Sequence, residues 1–559
     1  MPHQPNPETS LVSAFKLNNW WVPALCSLLF FLSGLTLIHY PGLQNDEVLF
    51  AAPLYHPADA VFCIQILKHE IPVMDMSYIG ALKTWLYAPI LKVFPPSYFS
   101  IRVPVLIFGS LTVGIFYHCL KIAHGRRAAW IGGMLLATDT MFLMTTCFDW
   151  GPVALQHFLT VLGATLVIGH RGRLLPLAFG FLCFGLAAWN KALFVWIFTG
   201  LVIGAVLVFP DALKRALNWK TAGVSALSFL IGAFPLIAYN VTENFPTFHA
   251  ASSFSTAALY PKALFVDGTW QGRDLFGYMV NEDDAPNPHG PGGLLDKASF
   301  AVRARAGEHR ANGLNWAGLA ALALLLPSMW WTGARRPALF CLVVLVVAWF
   351  QMAITQGAGG SAHHVVLLWP FPHALVAVLF AEASQRLAGA GWVKIANWLL
   401  GIVMLALIGS NLLLTNQYLY QFARNGAAGS WSDAVYPLAR DVDLWNSQAH
   451  GSSVAILDWG IATSLAVIDQ GRVPLNWASD PFKAADDRQS SPQPDPALLR
   501  DPGTLWLGHA DGYEQFPGVN ARVREFATAA GLKQVRLRTY SDTNGRPIFY
   551  SFGFSKGAE

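Results

Sequence analysis

Long apolar segments separated by short polar turns occupy the first three quarters of the chain. A helix needs about 20 residues, and at least ~17, to cross the hydrocarbon core of a bilayer. Roughly eleven segments reach or approach that length: 20–38, 101–120, 128–146, 151–169, 174–189, 192–209, 222–239, 313–331, 338–355, 364–381 and 396–414. The pattern predicts a polytopic α-helical membrane protein.

The turns between these segments alternate in charge, which predicts their orientation. One set of turns is strongly basic. The short turns that alternate with them, around 147–150, 190–191 and 356–363, carry one Lys between them. Because basic turns stay in the cytoplasm, we expect a cytoplasmic N-terminus, and an odd helix count then places the C-terminus outside. The basic set comprises Lys121, Arg126, Arg127, Arg171, Arg173, Lys214, Arg215, Lys220, Arg335, Arg336, Arg386 and Lys394.

Two domains follow from this layout. Residues 1–416 form the predicted transmembrane domain, with external loops at 39–100 and 240–312. The first loop contains amphipathic stretches at Ala58–His69 and Ala81–Val93, and the second stretch predicts a helix lying in the membrane interface.

The polar tail, residues 417–559, predicts a soluble extracytoplasmic α/β domain. Apolar runs and turn residues alternate along it. We predict strands at Val454–Asp458, Val473–Trp477 and Thr504–Gly508, helices at Ile461–Asp469 and Asn520–Ala530, a hairpin turning at Asn544-Gly545, and an exposed loop at Asp480–Pro502.

Composition narrows the class of protein further. Of the 559 residues 13% are charged, about half the ~25% of an ordinary soluble domain, and the mean hydropathy is +0.40. These values exclude a disordered chain and a typical cytosolic enzyme. A net charge of +4 is too small to indicate a nucleic-acid partner.

Two acids at the predicted outer ends of helices are candidates for chemistry. Asp46 follows the first apolar segment, and Asp149 lies in a very short outer turn. Taken singly, each is explained by capping a helix. Taken together, two carboxylates at one cleft can divide labour, one accepting a proton from a hydroxyl group while the other orients it.

Cations at the same level are suited to binding a phosphate. Lys83, Arg102 and Lys191 are the candidates, although each could equally extend to lipid headgroups. His363 and His364 could bind a phosphate, ligate a metal or stay interfacial. Asp139 lies inside the third apolar segment, where an acid is a functional candidate by default. A structural role, pairing with His157 or bonding a break in the helix, is favoured.

These residues and their order resemble the GT-C membrane glycosyltransferases, in particular the protein O-mannosyltransferase and lipid A aminoarabinose transferase group. The resemblance covers about residues 20–415 and departs from the family where Met76-Ser-Tyr-Ile-Gly replaces a His-Pro-Pro-Leu stretch. It rests on Asp46-Glu47, Tyr78-Ile-Gly-Ala-Leu-Lys83-Thr-Trp-Leu, Ser100-Ile-Arg102-Val-Pro, Gly125-Arg-Arg, Leu-Ala-Thr-Asp139, Asp149, Trp189-Asn-Lys191 and His363-His364-Val-Val-Leu-Leu-Trp-Pro-Phe.

The resemblance implies an enzyme of the bacterial-type cytoplasmic membrane. Such an enzyme transfers a sugar from a polyprenyl-phosphate-linked donor to a lipid, glycan or protein acceptor at the outer face, with inversion. By position, Asp46, Glu47 and Asp149 are implied as catalytic, and the donor phosphate would be bound by Lys83, Arg102, Lys191 and His364. No cofactor is certain; a divalent cation on Asp46, Glu47 and His364 stays an alternative to Lys and Arg alone.

Two other classes of protein fit the sequence less well. A multi-spanning secondary transporter requires broken or polar helices near the membrane midplane in paired halves, whereas here only Asp139 is deep. A membrane scaffold with a partner-binding tail would not need so many apolar segments.

Overall fold

The computed structural model describes residues 20–251, 253–448, 453–483, 499–501 and 503–556. Each of the eleven predicted apolar segments contains a helix. In chain order the helices up to Asn425 are α1 (Trp21–Leu35), α2 (Asn45–Val48), α3 (Leu82–Val93), α4 (Tyr98–Ala123), α5 (Arg126–Thr138), α6 (Thr140–Cys147), α7 (Val153–Gly169), α8 (Leu174–Asn190), α9 (Phe194–Val208), α10 (Pro210–Ala216), α11 (Trp219–Thr242), α12 (Pro246–Ala251), α13 (Leu259–Gln271), α14 (Leu294–Ala306), α15 (Leu314–Ser328), α16 (Arg335–Ile354), α17 (Ala362–Val365), α18 (Phe371–Leu387) and α19 (Val393–Asn425).

Helix length and apolarity bear on the number of membrane spans. Among the described residues, four helices are long and apolar enough to cross a membrane, or up to six if two bent pairs each form one span. Helices α1, α7, α8 and α15 are apolar but shorter. The fold is therefore mostly helical with several apolar helices, and the number of eleven spans stays a prediction.

Asp139 lies where the third apolar segment breaks into α5 and α6, which are bent by 54°. Its Oδ1 accepts a hydrogen bond from the Phe142 N–H at 2.6 Å and so caps α6. Its Oδ2 accepts from Trp369 Nε1 at 3.2 Å and lies 3.0 Å from His373 Nε2. Asp139 thus bonds a helix break, as favoured from the sequence, but its histidine neighbour is His373 rather than His157.

The first external loop is partly a small sheet. Strands β1 (Phe62–Ile66), β2 (His69–Met76) and β3 (Ile79–Gly80) form an antiparallel sheet in that order. The amphipathic stretch Ala58–His69 therefore contains β1 and the turn that leads into β2. Helix α3 forms at the position predicted for the Ala81–Val93 helix.

A buried arginine ties this loop to α4. Arg102 is fully buried, and its Nε and Nη2 donate to the two carboxylate oxygens of Glu47 at 2.6 and 2.7 Å. Its remaining N–H groups donate to the carbonyls of Ile38, Pro41 and Gly42 at 2.6–2.9 Å. All five donors of the guanidinium are thereby used on α2 and on the segment that joins it to α1.

The tail folds into a mixed sheet with helices, as its pattern predicts. Its elements are α20 (Val435–Gln448), β4 (Val454–Ile456), α21 (Ala462–Ile468), β5 (Leu475–Trp477), β6 (Leu505–His509), α22 (Val519–Ala529), β7 (Leu532–Ser541) and β8 (Pro547–Lys556). The strands occur in the order β5-β4-β6-β8-β7, with β5, β4 and β6 parallel and β6, β8 and β7 antiparallel. Most of the predicted loop, 484–498 and Pro502, lies outside the described residues.

The tail packs directly against the first external loop. Val467 of α21 is fully buried in one apolar cluster with Leu43, Val48 and Phe50. The Gly42 N–H donates to the Trp431 carbonyl at 2.7 Å. A Cβ at Gly42 would lie only 2.2 Å from the Ser432 carbonyl oxygen, so this approach requires glycine. The loop therefore lies between α4 and the tail.

We expect Arg102→Met to destabilise the protein strongly. The substitution leaves Glu47 and three carbonyls buried without their donor, and breaking a buried ion pair costs about 3–5 kcal/mol. Thermal unfolding in detergent measures the effect. Arg273→Met is the matched control, because Arg273 pairs with Asp267 where both are exposed, and such pairs contribute about 0–1 kcal/mol. Equal losses in both variants would contradict the prediction.

Candidate active site

A cavity lies at the junction of the first external loop with the α6–α7 and α8–α9 turns. Its empty space, including its open mouth, is about 520 Å³. Both predicted acids, Asp46 and Asp149, line it, as do the predicted cations Lys83 and Lys191. Residues far apart in the chain thus come together at one place.

Asp149 joins a helix end to a lysine. Its Oδ1 accepts from the Val153 and Ala154 N–H groups at 2.6 and 3.0 Å, which caps α7. Its Oδ2 accepts from Lys83 Nζ at 2.8 Å, and both side chains are at most 3% exposed. Lys83 Nζ also lies 4.1 Å from the centre of the Phe50 ring. Asp149 therefore caps a helix with one oxygen and pairs with a lysine at the cavity with the other, so the two roles considered from the sequence are compatible.

Asp46 is the acid whose carboxylate is least engaged. It lies in the single turn α2, where the Gln44 side chain accepts from the Asp46 and Glu47 N–H groups at 2.7 and 3.0 Å. Its Oδ1 accepts from Asn45 Nδ2 at 3.3 Å, and the residue is half-buried at the cavity. Burial raises the pKa of the Asp46 carboxyl, which makes its carboxylate a better proton acceptor.

Lys191 is held by the turn that follows Asp149. Its Nζ donates to the Gly151 carbonyl at 2.9 Å, and the residue is fully buried. Gly151 has a φ of +148°, and a Cβ there would come within 2.9 Å of His363 and 3.2 Å of Lys191 Nζ. Burial lowers the pKa of Lys191 to about 7, so its charge depends on its surroundings near neutral pH.

Trp150 lines the cavity and packs against two further aromatic rings. The Trp150 ring lies 5.9 Å from Tyr278 and 5.3 Å from Trp431, between ring centres. Burial, and then the negative charge of Asp46, raise the pKa of Tyr278 to about 12. These rings join the second external loop and the segment after α19 to the cavity.

Three residues predicted for the site do not line the cavity. Glu47 is 1% exposed and bound to Arg102, so both face the loop-to-helix junction. His364 accepts from the Gly359 N–H at 3.1 Å. Its neighbour His363 lines the cavity instead.

One cavity acid, Asp75, was not predicted from the sequence. It is 2% exposed and lies near the end of β2. The available signal was a single acid within the apolar run Ile71-Pro-Val-Met-Asp-Met, just before the segment that carries Lys83.

The residues suggested for a divalent cation do not form a ligand set. In the described part of the chain, no three His, Cys, Asp or Glu side chains are grouped so as to hold a metal ion. The Glu47 carboxylate is occupied by Arg102. Asp46, Glu47 and His364 therefore do not fit a shared metal, and no chemical step is assigned to one.

The fold is similar to that of solved membrane glycosyltransferases. The crystal structure of ArnT from Cupriavidus metallidurans bound to undecaprenyl phosphate matches with a TM-score of 0.55 and 14% identity, over 95% of this chain and 97% of that chain. The same protein in the apo state gives 0.52 and 15%, with the same coverage. Archaeal AglB from Archaeoglobus fulgidus, in complex with an inhibitory peptide and a dolichol-phosphate, gives 0.50 and 11%, over 96% and 74%.

No protein-family model and no curated protein matches the sequence. At such low identity the structural matches establish the fold alone. The resemblance to GT-C glycosyltransferases is confirmed at that level.

We expect the buried Lys191 to make stability depend on pH. Between pH 7 and the ordinary lysine pKa of about 10.4, the unfolded chain holds a proton that the folded chain lacks. Stability therefore rises with pH in that window, by up to about 1.4 kcal/mol per pH unit from this group.

Lys191→Met removes this contribution. The measurement is the unfolding temperature in detergent from pH 6 to 10, compared with wild type and with Lys68→Met, which alters an exposed lysine. The same pH slope in wild type and Lys191→Met would refute the assignment.

Proposed function

We propose that the chain is a membrane glycosyltransferase that uses a polyprenyl-phosphate-linked sugar. The sugar passes to a hydroxyl or phosphate of a lipid, glycan or protein acceptor at the outer face of the cytoplasmic membrane. The observation that carries the proposal is the convergence of Asp46, Asp149, Lys83 and Lys191 on one cavity. The fold of the chain, which is similar to that of ArnT solved with bound undecaprenyl phosphate, also supports the proposal.

Asp46 is the proton acceptor in this mechanism. The acceptor oxygen attacks the anomeric carbon, the bond from that carbon to the phosphate oxygen breaks, and the phosphate leaves with the electron pair. The proton of the acceptor hydroxyl moves to the Asp46 carboxylate, whose single side-chain donor among the described residues is Asn45. Direct displacement inverts the anomeric centre.

Lys83 and Lys191 stabilise the charge of the departing phosphate. Cations aimed at the leaving group lower the barrier most in a site with little water. An anion beside Lys191 favours its protonated form. Binding of the phosphate therefore increases the fraction of Lys191 that carries a positive charge.

Asp149, Glu47 and Arg102 act as positioning residues. Both Asp149 oxygens are engaged, one by the start of α7 and the other by Lys83, which leaves this acid to fix the lysine rather than to accept a proton. Glu47 and Arg102 hold the loop that carries Asp46. We propose no direct role for His364; His363 is the histidine that a donor phosphate would meet.

The structure offers no site for the competing transporter hypothesis at Asp139. Both oxygens of that carboxylate bond to groups on α6 and α18 or immediately before α18. The acid predicted to lie deep in the membrane is thus accounted for by the helix break.

We expect Asp46→Asn to lower transfer by about 10²–10⁴-fold, the range of general-base catalysis, with little change in unfolding temperature. Release of undecaprenyl phosphate from sugar-bearing undecaprenyl-phosphate donors in native membranes measures transfer.

Asp149→Asn should also remove most transfer, because the amide oxygen can still cap α7 but the charge that fixes Lys83 is lost. Asp284→Asn is the control, since Asp284 is exposed. Wild-type rates in both site variants would exclude this assignment.

We expect a polyprenyl phosphate, or its sugar adduct, to co-purify with the wild type and to be depleted in Lys83→Met. Mass spectrometry of lipids extracted from the detergent-purified protein detects it. Lys83→Met alone leaves the buried Asp149 without its cation, which could unfold the protein. The double variant Lys83→Met/Asp149→Asn removes that charge as well, so depletion of the lipid from the folded double variant shows lost binding rather than misfolding. If wild type retains no such lipid, even after undecaprenyl phosphate is added, the proposed donor class is wrong.

A further inference from the structure

Asp75 is a buried acid in the cavity to which the mechanism above gives no role. The pairing of β2 with β3 is irregular there, since Met74 pairs with Gly80 but Met76 pairs with Ile79. Such irregularities redirect side chains and are frequent beside active sites. The carboxyl group of Asp75 thereby lines the same cavity as Asp46 and the two lysines.

The hydrogen bonds of Thr84 indicate where the proton of Asp75 lies. Thr84 Oγ1 is 2.8 Å from Asp75 Oδ2 and 2.8 Å from the Phe50 carbonyl oxygen. A hydroxyl group has a single proton to donate, so an ionised Asp75 and the Phe50 carbonyl would compete for the one proton of Thr84. A proton on Asp75 Oδ2 satisfies both, because the carboxyl donates to Thr84 and Thr84 donates to Phe50.

Burial favours the neutral form of Asp75 and raises its pKa to about 7. The Lys83 charge, and a hydrogen bond donated by Thr84 to the ionised carboxylate, act in the opposite direction. A neutral group also suits its place, because a third carboxylate would repel an incoming phosphate.

The second oxygen of Asp75 has no partner in the described part of the chain. Oδ1 is buried and accepts no hydrogen bond there, although buried polar atoms in native proteins are nearly always bonded. In a neutral carboxyl that donates through Oδ2, Oδ1 can only accept. Its partner must therefore bring an O–H or N–H group, as a sugar hydroxyl or an ordered water does and an anionic phosphodiester does not.

We propose that Asp75 is a sugar-binding residue: its neutral carboxyl group donates a hydrogen bond to Thr84, and its Oδ1 accepts a hydroxyl or amino hydrogen of the donor's sugar. This inference rests on the proposed function and deepens it, because it assigns part of the cavity to the sugar rather than to the phosphate. Asp75 is thus distinguished from Asp46, whose carboxylate must be ionised to accept a proton.

The experiment compares lipids with and without a sugar. Dissociation constants are measured by native mass spectrometry for bare undecaprenyl phosphate and for undecaprenyl-phosphate lipids that carry glucose, mannose, arabinose or 4-amino-4-deoxyarabinose. The proteins are wild type, Asp75→Ala, Asp75→Asn and Asp274→Ala. Asp274 is the matched control, because it also accepts a hydrogen bond from a threonine, Thr269, at 2.9 Å but lies outside the cavity.

We expect wild type to bind at least one sugar-bearing lipid more tightly than the bare lipid. Asp75→Ala should reduce that advantage by roughly threefold to tenfold, the effect of one neutral hydrogen bond, and the affinity for the bare lipid should change less. Asp75→Asn should restore most of the advantage, because its amide donates to Thr84 and keeps an acceptor oxygen. An Asn variant as weak as Ala overturns the inference, since it would show that the ionised form is needed.

Other outcomes separate this inference from the proposed function. If wild type prefers a sugar-bearing lipid and Asp75→Ala keeps that preference, Asp75 does not bind the sugar, while the glycosyltransferase proposal stands. If no sugar-bearing lipid binds more tightly than the bare one, the cavity does not hold the sugar and the inference is wrong. If wild type binds none of these lipids, both proposals fail. Should Asp75→Ala not fold, loss of the preference in Asp75→Asn decides against the inference.

Discussion

The guanidinium group of Arg102 is the contact on which the position of the first external loop depends. A buried guanidinium must find partners for all five N–H groups, and Arg102 finds them on Glu47 and three carbonyls between Ile38 and Gly42. The loop can satisfy them in few conformations. The neighbour of Glu47, the proposed proton acceptor Asp46, is placed at the cavity as a consequence.

The tail contributes to the same placement. A helix of one turn such as α2 does not form by itself, and here it is bounded by Arg102 on one side and by Val467 of α21 on the other. Gly42 permits the backbone of the loop to approach Ser432 closely. The tail therefore supports the site, rather than being a separate module attached to the helical part.

The cavity combines acids and lysines without simply cancelling their charges. Asp149 and Lys83 form an ion pair that is anchored on α7. Lys191 and Asp75 are both buried, and burial moves the pKa of each toward about 7, from opposite directions. When an anionic phosphate arrives, both groups can take up protons, so the site gains positive charge. That behaviour suits a donor whose leaving group is a phosphate.

Several features could be predicted from the sequence because they depend on local patterns. The apolar segments, the strands and helices of the tail and the helix at α3 follow from hydrophobicity and its period. Acids and lysines at the ends of apolar segments, including Asp46, Asp149, Lys83 and Lys191, were found because few positions near the predicted membrane edge are charged. The sheet of β1–β3 was not predicted, since the Ala58–His69 stretch shows no clear alternation of apolar and polar residues.

What only the tertiary structure decided is which of two neighbouring side chains meets the cavity. Adjacent helical residues point about 100° apart, so Asp46 and His363 line the cavity while Glu47 and His364 do not. The partner of Glu47 is Arg102 on another helix, and no local pattern encodes that pairing. Asp75 belongs to this group as well. Its environment is built by Thr84, Phe50 and Lys83, which the chain brings together only when it folds. Hydrophobicity acts along the chain and is readable there, whereas desolvation and hydrogen bonding act through space and depend on the packed fold.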